Sequence, residues 1–76
     1  MDNLKFEKMN DNTWIAKFYN GTYSRFYHIT DHGDHASLMI YGSNRKPEIK
    51  YSSVKKAMGI AKQEHNRWLS NIRKVQ

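Results

Sequence analysis

There is no cysteine among the 76 residues, so disulfides, thiolate metal sites and thiol nucleophiles are excluded. That weighs against a secreted mini-protein, a class that offsets a small core with disulfides. Acidic residues are scarce: seven Asp and Glu face 13 Lys and Arg, for a net charge of +6. Long apolar runs are missing as well. The longest is Leu38-Met39-Ile40-Tyr41, far short of the ~20 residues a helix needs to cross a bilayer. The opening MDNLKFEKMN lacks the basic-then-apolar pattern of a secretory signal; the expected location is the cytoplasm. Apolar residues make up 38% and mean hydropathy is −0.92. A chain of this size buries only about 60% of its unfolded surface, so a single small domain over residues 1–76 is expected.

Two regimes meet near residue 52. Before it, aromatic and β-branched residues alternate with polar ones. Strands are expected at 4–8, 14–19, 22–30 and 36–41. Asn10-Asp11-Asn12, Asn20-Gly21 and Asp31-His32-Gly33-Asp34 fall between them as turns. Asn20-Gly21 predicts a two-residue type I′ hairpin, because both central residues of that turn need positive φ. Gly42 to Pro47 reads as a loop, and Glu48 to Tyr51 as a short extended lead into a helix. Ser52 or Ser53 can cap that helix. Val54, Met58, Ala61, His65, Trp68, Ile72 and Val75 then recur at spacings of four and three, with Ala57 and Leu69 widening the stripe. The fold class is therefore α+β: an antiparallel three- to four-stranded meander (4–51) packed on one long C-terminal helix (53–75). A helical dimer seam fits the same spacing, but an upstream sheet needs a lid. The state expected is a monomer or weak dimer.

Nearly all the net charge belongs to the helix. Residues 53–76 hold six bases and one acid, whereas residues 1–52 hold seven bases and six acids. At 100° per residue, Lys55, Lys56, Lys62, Arg67, Arg73 and Lys74 fall within about 140° on the side away from the apolar stripe. Ordinary surfaces intersperse both signs, so a face of one sign points to nucleic acid or an acidic protein surface. A solvated face is the plain alternative.

Ten of the 76 residues are aromatic. Alternation sets Trp14 and Phe18 against Ile15 and Tyr19; Tyr23, Tyr27 and Ile29 against Phe26 and His28; and Leu38 and Ile40 against Met39 and Tyr41. One set packs beneath Trp68 and Ile72, and the other stays partly exposed. Exposed sheet aromatics can stack bases or form a protein interface. The alternating Gly and Phe/Tyr strand of the common RNA-binding sheets is absent, which ranks protein contact first. Tyr19, Arg25, Tyr41, Arg45 and Lys46 are candidates for this secondary interface.

Catalytic chemistry finds no foothold. His28, His32 and His35 with Asp31 and Asp34 have ligand chemistry, but their spacing on a strand and a turn scatters them. No metal or cofactor is expected, and the aspartates suit local turn hydrogen bonds. Gly42-Ser43-Asn44-Arg45-Lys46 lacks the second glycine and the Lys-Ser/Thr ending of a P-loop. His65, inside the apolar stripe, reads as a core histidine. No acid pair or nucleophile-and-base arrangement is visible, so an enzyme is not expected.

The order Trp14-Ile-Ala16, then Tyr27-His-Ile29, then Tyr51-Ser-Ser53-Val54-Lys-Lys-Ala57 opening a basic helix resembles the small sheet-then-helix accessory proteins of bacteriophages and mobile elements. The likeness runs over residues 13 to 70. The outline is also similar to the AP2-type domains and the arm-binding domains of tyrosine integrases. Those families read DNA with the sheet, whereas here the bases lie on the helix. The phage resemblance implies a non-enzymatic factor, acting inside the bacterial host cell, that binds and inhibits a host nucleoprotein or defence complex; an anti-CRISPR protein is one such inhibitor. Direct, sequence-tolerant binding of DNA or RNA is the alternative reading. Assembly through the exposed aromatic sheet face is the third.

Overall fold

Runs of alternating side chains separated by short turns pair most readily with their neighbours in sequence. The computed structural model describes residues 4–19, 21–42 and 46–75. It contains β1 (Glu7–Asn10), β2 (Thr13–Tyr19), β3 (Ser24–Asp31), β4 (Ala36–Gly42), β5 (Lys46–Tyr51) and α1 (Val54–Val75). The strands form one antiparallel sheet in the order β1-β2-β3-β4-β5. The fold is thus the expected meander on a C-terminal helix, with five strands rather than three or four.

The additional strand is β5. Its pairing with β4 runs Ala36↔Tyr51, Ser37↔Lys50 and Leu38↔Ile49, then shifts to Ile40↔Lys46. Pro47 and Glu48 therefore oppose the single residue Met39. An edge strand at a bulge is where proline's missing N–H does least harm to a ladder, which is how a segment reading as loop joins the sheet. At the opposite edge β1 starts later than the alternation suggests. Leu4 is buried and Phe6 half-buried, but both precede the ladder.

The turn between β2 and β3 is longer than its sequence suggests. Tyr19 pairs with Ser24, so four residues, not two, connect β2 to β3. Gly21 has the expected positive φ of 93°; Asn20 lies outside the described residues. Between β3 and β4 the pair Asp31↔Ala36 again leaves four residues. There the Asp31 carboxylate accepts from the Gly33 N–H at 2.9 Å, and the His32 N–H donates to the His35 carbonyl at 2.9 Å.

The helix begins at Ser53, whose hydroxyl oxygen accepts from the Lys56 N–H at 3.1 Å. Its buried side opens with Ala57 and Ala61, both fully covered. These small side chains let the helix axis approach the large strand residues Tyr27, Ile29, Leu38 and Ile40, which share one core with them. Further along, Trp68 is 4% exposed and meets the ring edges of Phe18 and Tyr23 at centroid distances of 5.5 and 6.0 Å. The helix covers one sheet face only. On the other, Ile15, Phe26, His28, Met39 and Tyr41 are half-buried.

Candidate functional site

Helix α1 spans 22 residues, about 33 Å at 1.5 Å per residue. Because Ala57, Ala61, His65 and Trp68 hold one side against the sheet, the opposite side faces solvent from Lys55 to Asn71. Lys55, Lys56, Lys62 and Arg67 are exposed on it. Arg73 and Lys74 lie in the last turn, and their side chains fall outside the described residues. The acid on this helix is Glu64. It is half-buried on the flank and reaches Arg67 at 3.7 Å, an i,i+3 pair. No acidic residue occupies the first turn. Lys55 and Lys56 sit there instead, against the positive end of the macrodipole, where a cation is disfavoured by about 0.3–1 kcal/mol. Gly59 lies in the centre of the exposed side with no atom near its missing Cβ, so helix packing gives no reason for it.

Of the secondary interface residues, Tyr19 is 75% exposed and Tyr41 is half-buried on the open sheet face. Arg45 lies outside the described residues, as does the side chain of Lys46. Arg25 is a correction: it is 2% exposed, in the core. Alternation through Tyr23, Arg25, Tyr27 and Ile29 puts it on the helix side. Its guanidinium lies over the Trp68 ring at 4.6 Å and donates to the Tyr27 hydroxyl at 3.1 Å. That hydroxyl in turn lies 2.7 Å from Nδ1 of His65. Arg25, Tyr27, His65 and Trp68 thus form a buried polar and aromatic cluster between β3 and α1. Burial raises the Tyr27 pKa above its ordinary value, with Glu64 adding to the rise and Arg25 opposing it. Burial, assisted by Glu64, raises Tyr51 likewise.

The histidine-rich segment is divided among separate partners. His28 lies on the open sheet face, nearly parallel to Phe26 at 6.4 Å. His32 and His35 stack on each other at 4.6 Å. Nε2 of His32 lies 2.9 Å from the Ser37 hydroxyl, and Nδ1 of His35 lies 2.5 Å from the Asp34 carboxylate. Hydrogen bonding to His35 holds the Asp34 pKa below its ordinary value. Among the described residues, no three His, Cys, Asp or Glu side chains are grouped as metal ligands. No helix of the described residues is long and apolar enough to cross a membrane.

The open sheet face also contains features that alternation alone does not reveal. The register aligns Lys17, Phe26 and Tyr41 in one cross-strand row. Phe26 and Tyr41 have ring centroids 6.0 Å apart. Lys17, Tyr19, Ser24, Phe26 and Tyr41 surround a hollow of about 250 Å³ at the hairpin end of the sheet. A second hollow, of about 440 Å³, lies beside it, lined by Lys5, Glu7, Met9, Ile15 and Lys17. No family model, no curated protein and no solved structure matches this chain.

Proposed function

We propose that this chain is a non-enzymatic accessory protein of phage type, acting in the cytoplasm of a bacterial host, that binds and inhibits a host nucleoprotein or defence complex through its basic helix. The reading rests on one observation: Lys55, Lys56, Lys62 and Arg67 are exposed along the solvent side of α1 with Glu64 as its sole acid. A mainly basic helix face, running about 18 Å from Lys55 to Arg67, suits a polyanionic partner: the nucleic acid carried by such a complex or an acidic patch on its protein. RNA-guided nucleases are one class of complex with that character.

The test is capture of partners from bacterial lysate by the tagged chain, with and without nuclease treatment, beside a Lys62→Glu/Arg67→Glu variant. The Arg67–Glu64 pair is long, at 3.7 Å, and exposed on its arginine side, so its loss removes about 1 kcal/mol of stability at most and the variant stays folded. The expected result is a protein complex that survives nuclease treatment and whose affinity falls at least about tenfold, or 1.4 kcal/mol, in the variant. The purified complex should lose activity when the wild-type chain is added. If the chain retains only nucleic acid, with affinity falling steeply as salt rises from 50 to 200 mM, it binds nucleic acid directly and the inhibitor reading fails. Equal capture by both proteins rules out the helix as the binding surface.

A further inference from the structure

The open sheet face, on the far side of the sheet from α1, carries two adjoining hollows of different character. The first is walled by the rings of Tyr19, Phe26 and Tyr41. Its volume of about 250 Å³ accommodates one flat heterocycle. Phe26 and His28 lie nearly parallel, 23° apart in plane, so aromatic surface continues along β3 beyond the hollow. The second hollow is polar at its rim, with Lys5, Lys17 and the carboxylate of Glu7. Lys17 borders both hollows. It is exposed, and among the described residues it makes no ion pair.

We infer that these paired hollows bind a base-and-phosphate unit of a single-stranded nucleic acid, the base against Tyr41 and Phe26 and the phosphate near Lys17 and Lys5. Three aromatic walls supply the stacking surface that every base can use, whatever its sequence. An ammonium at the boundary sits where the phosphate attached to a stacked base emerges. Two lysines against one glutamate leave the second hollow net positive, complementary to that phosphate. A duplex cannot use these rings, since the faces of its bases are already stacked on one another. A purely apolar protein anchor would fill the aromatic hollow and leave Lys17 unused. Gly42 contributes to the shape of the site. Its backbone, at a φ of +94°, lies so close to β3 that a Cβ would come within 2.5 Å of the Ser24 carbonyl oxygen. Ser24 and Gly42 both line the first hollow. The inference does not depend on the helix being a partner surface, because the residues involved lie on the opposite face.

The experiment is amide and side-chain NMR titration of the full chain, carrying Lys62→Glu/Arg67→Glu to silence the helix, with (dT)6, an abasic strand of the same length, and dTMP. Saturable shifts are expected at Lys17, Tyr19, Phe26 and Tyr41 with (dT)6. Binding to the abasic strand should be at least tenfold weaker. Tyr41→Leu, which keeps apolar bulk but no ring face, should weaken (dT)6 binding at least fivefold, and Lys17→Gln should flatten its salt dependence. Equal binding of the abasic strand, or an unchanged Kd in Tyr41→Leu, overturns the base-stacking site. If dTMP binds as tightly as (dT)6, the ligand is a free nucleotide and the single-strand assignment fails. If the same residues shift on raising protein concentration without ligand, the face joins copies of the chain and the inference is wrong.

Discussion

Substituting Lys56 by glutamate should make this protein more stable while making it bind less well. Ser53 is the N-cap of α1, and its hydroxyl accepts from the Lys56 N–H at 3.1 Å. Lys56 is therefore the third residue of the helix, the position from which a glutamate side chain reaches back to the N-cap N–H and completes a capping box. At present a lysine fills it, and no acid stands anywhere in the first turn. Reversing the charge relieves an unfavourable contact with the helix dipole and adds a favourable one, each worth about 0.3–1 kcal/mol at an exposed site. Lys56→Glu should thus add about 1 kcal/mol, which in a domain of this size raises Tm by about 4–8 °C. Urea and thermal melts followed by circular dichroism at low salt measure it, and 0.5 M salt should reduce the gain because the effect is electrostatic. Binding of the partner captured by the wild-type chain should fall in the same variant. A destabilised variant would refute the helix start at Ser53. A stabilised variant with unchanged affinity would mean that Lys56 is merely solvated.

Four further outcomes follow from the core and the turns. Trp68→Ala should cost about 3–5 kcal/mol in a denaturant melt, because the ring is 4% exposed and large-to-small core changes of this kind fall in that range; a loss under about 1 kcal/mol would mean that the helix end stands free of the sheet. Tyr27 has a folded-state pKa above its unfolded value, so its contribution is complete below about pH 10 and is lost as pH rises through the folded pKa; urea midpoints between pH 9 and 11 should fall more steeply for the wild type than for Tyr27→Phe, and parallel slopes would refute this. Gly42→Ala should be more destabilising than Gly33→Ala, since both have φ above +90° but a Cβ meets backbone only at Gly42; strain alone is about 1–2 kcal/mol, and equal melts would contradict the close approach. Ser53→Ala should remove about 1 kcal/mol, read from helical signal in the same melts.

The helix was legible because its period depends only on local spacing. Ala57, Ala61, His65 and Trp68 are buried where a 4-3 repeat places them, and the basic residues follow by rotation. The sheet was legible face by face but not row by row. A two-residue turn at Asn20-Gly21 would pair Lys17 with Ser24; the actual register pairs Lys17 with Phe26. A slip of two leaves every side chain on its own face, so the alternation of β2 and β3 held while their neighbours changed. The aromatic hollow depends on that row, which is why residue types alone do not disclose it. β5 reads as loop because Pro47 and its polar neighbours carry loop chemistry, and only a bulge on an edge strand reconciles them with a ladder. The charge of Arg25 argues for the surface, whereas the alternation of Tyr23, Tyr27 and Ile29 around it places it on the helix side, where it is buried.

The buried cluster links these surfaces mechanically. A helix carrying several like charges and no first-turn acid gains little stability from its own electrostatics, so its attachment has to come from packing. Near its start that attachment is Ala57 and Ala61 against Tyr27, Ile29, Leu38 and Ile40. Near its end it is His65 and Trp68, the first against the Tyr27 hydroxyl at 2.7 Å and the second beneath the Arg25 guanidinium at 4.6 Å. Arg25 and Phe26 are consecutive on β3 and point to opposite faces of the sheet. The same short stretch of strand therefore anchors the basic helix on one side and walls the aromatic hollow on the other. A substitution at Arg25 should loosen the helix end and disturb the row Lys17-Phe26-Tyr41 together. Substitutions at Lys62 or Tyr41, which lie at the two outer surfaces, should each affect only their own side.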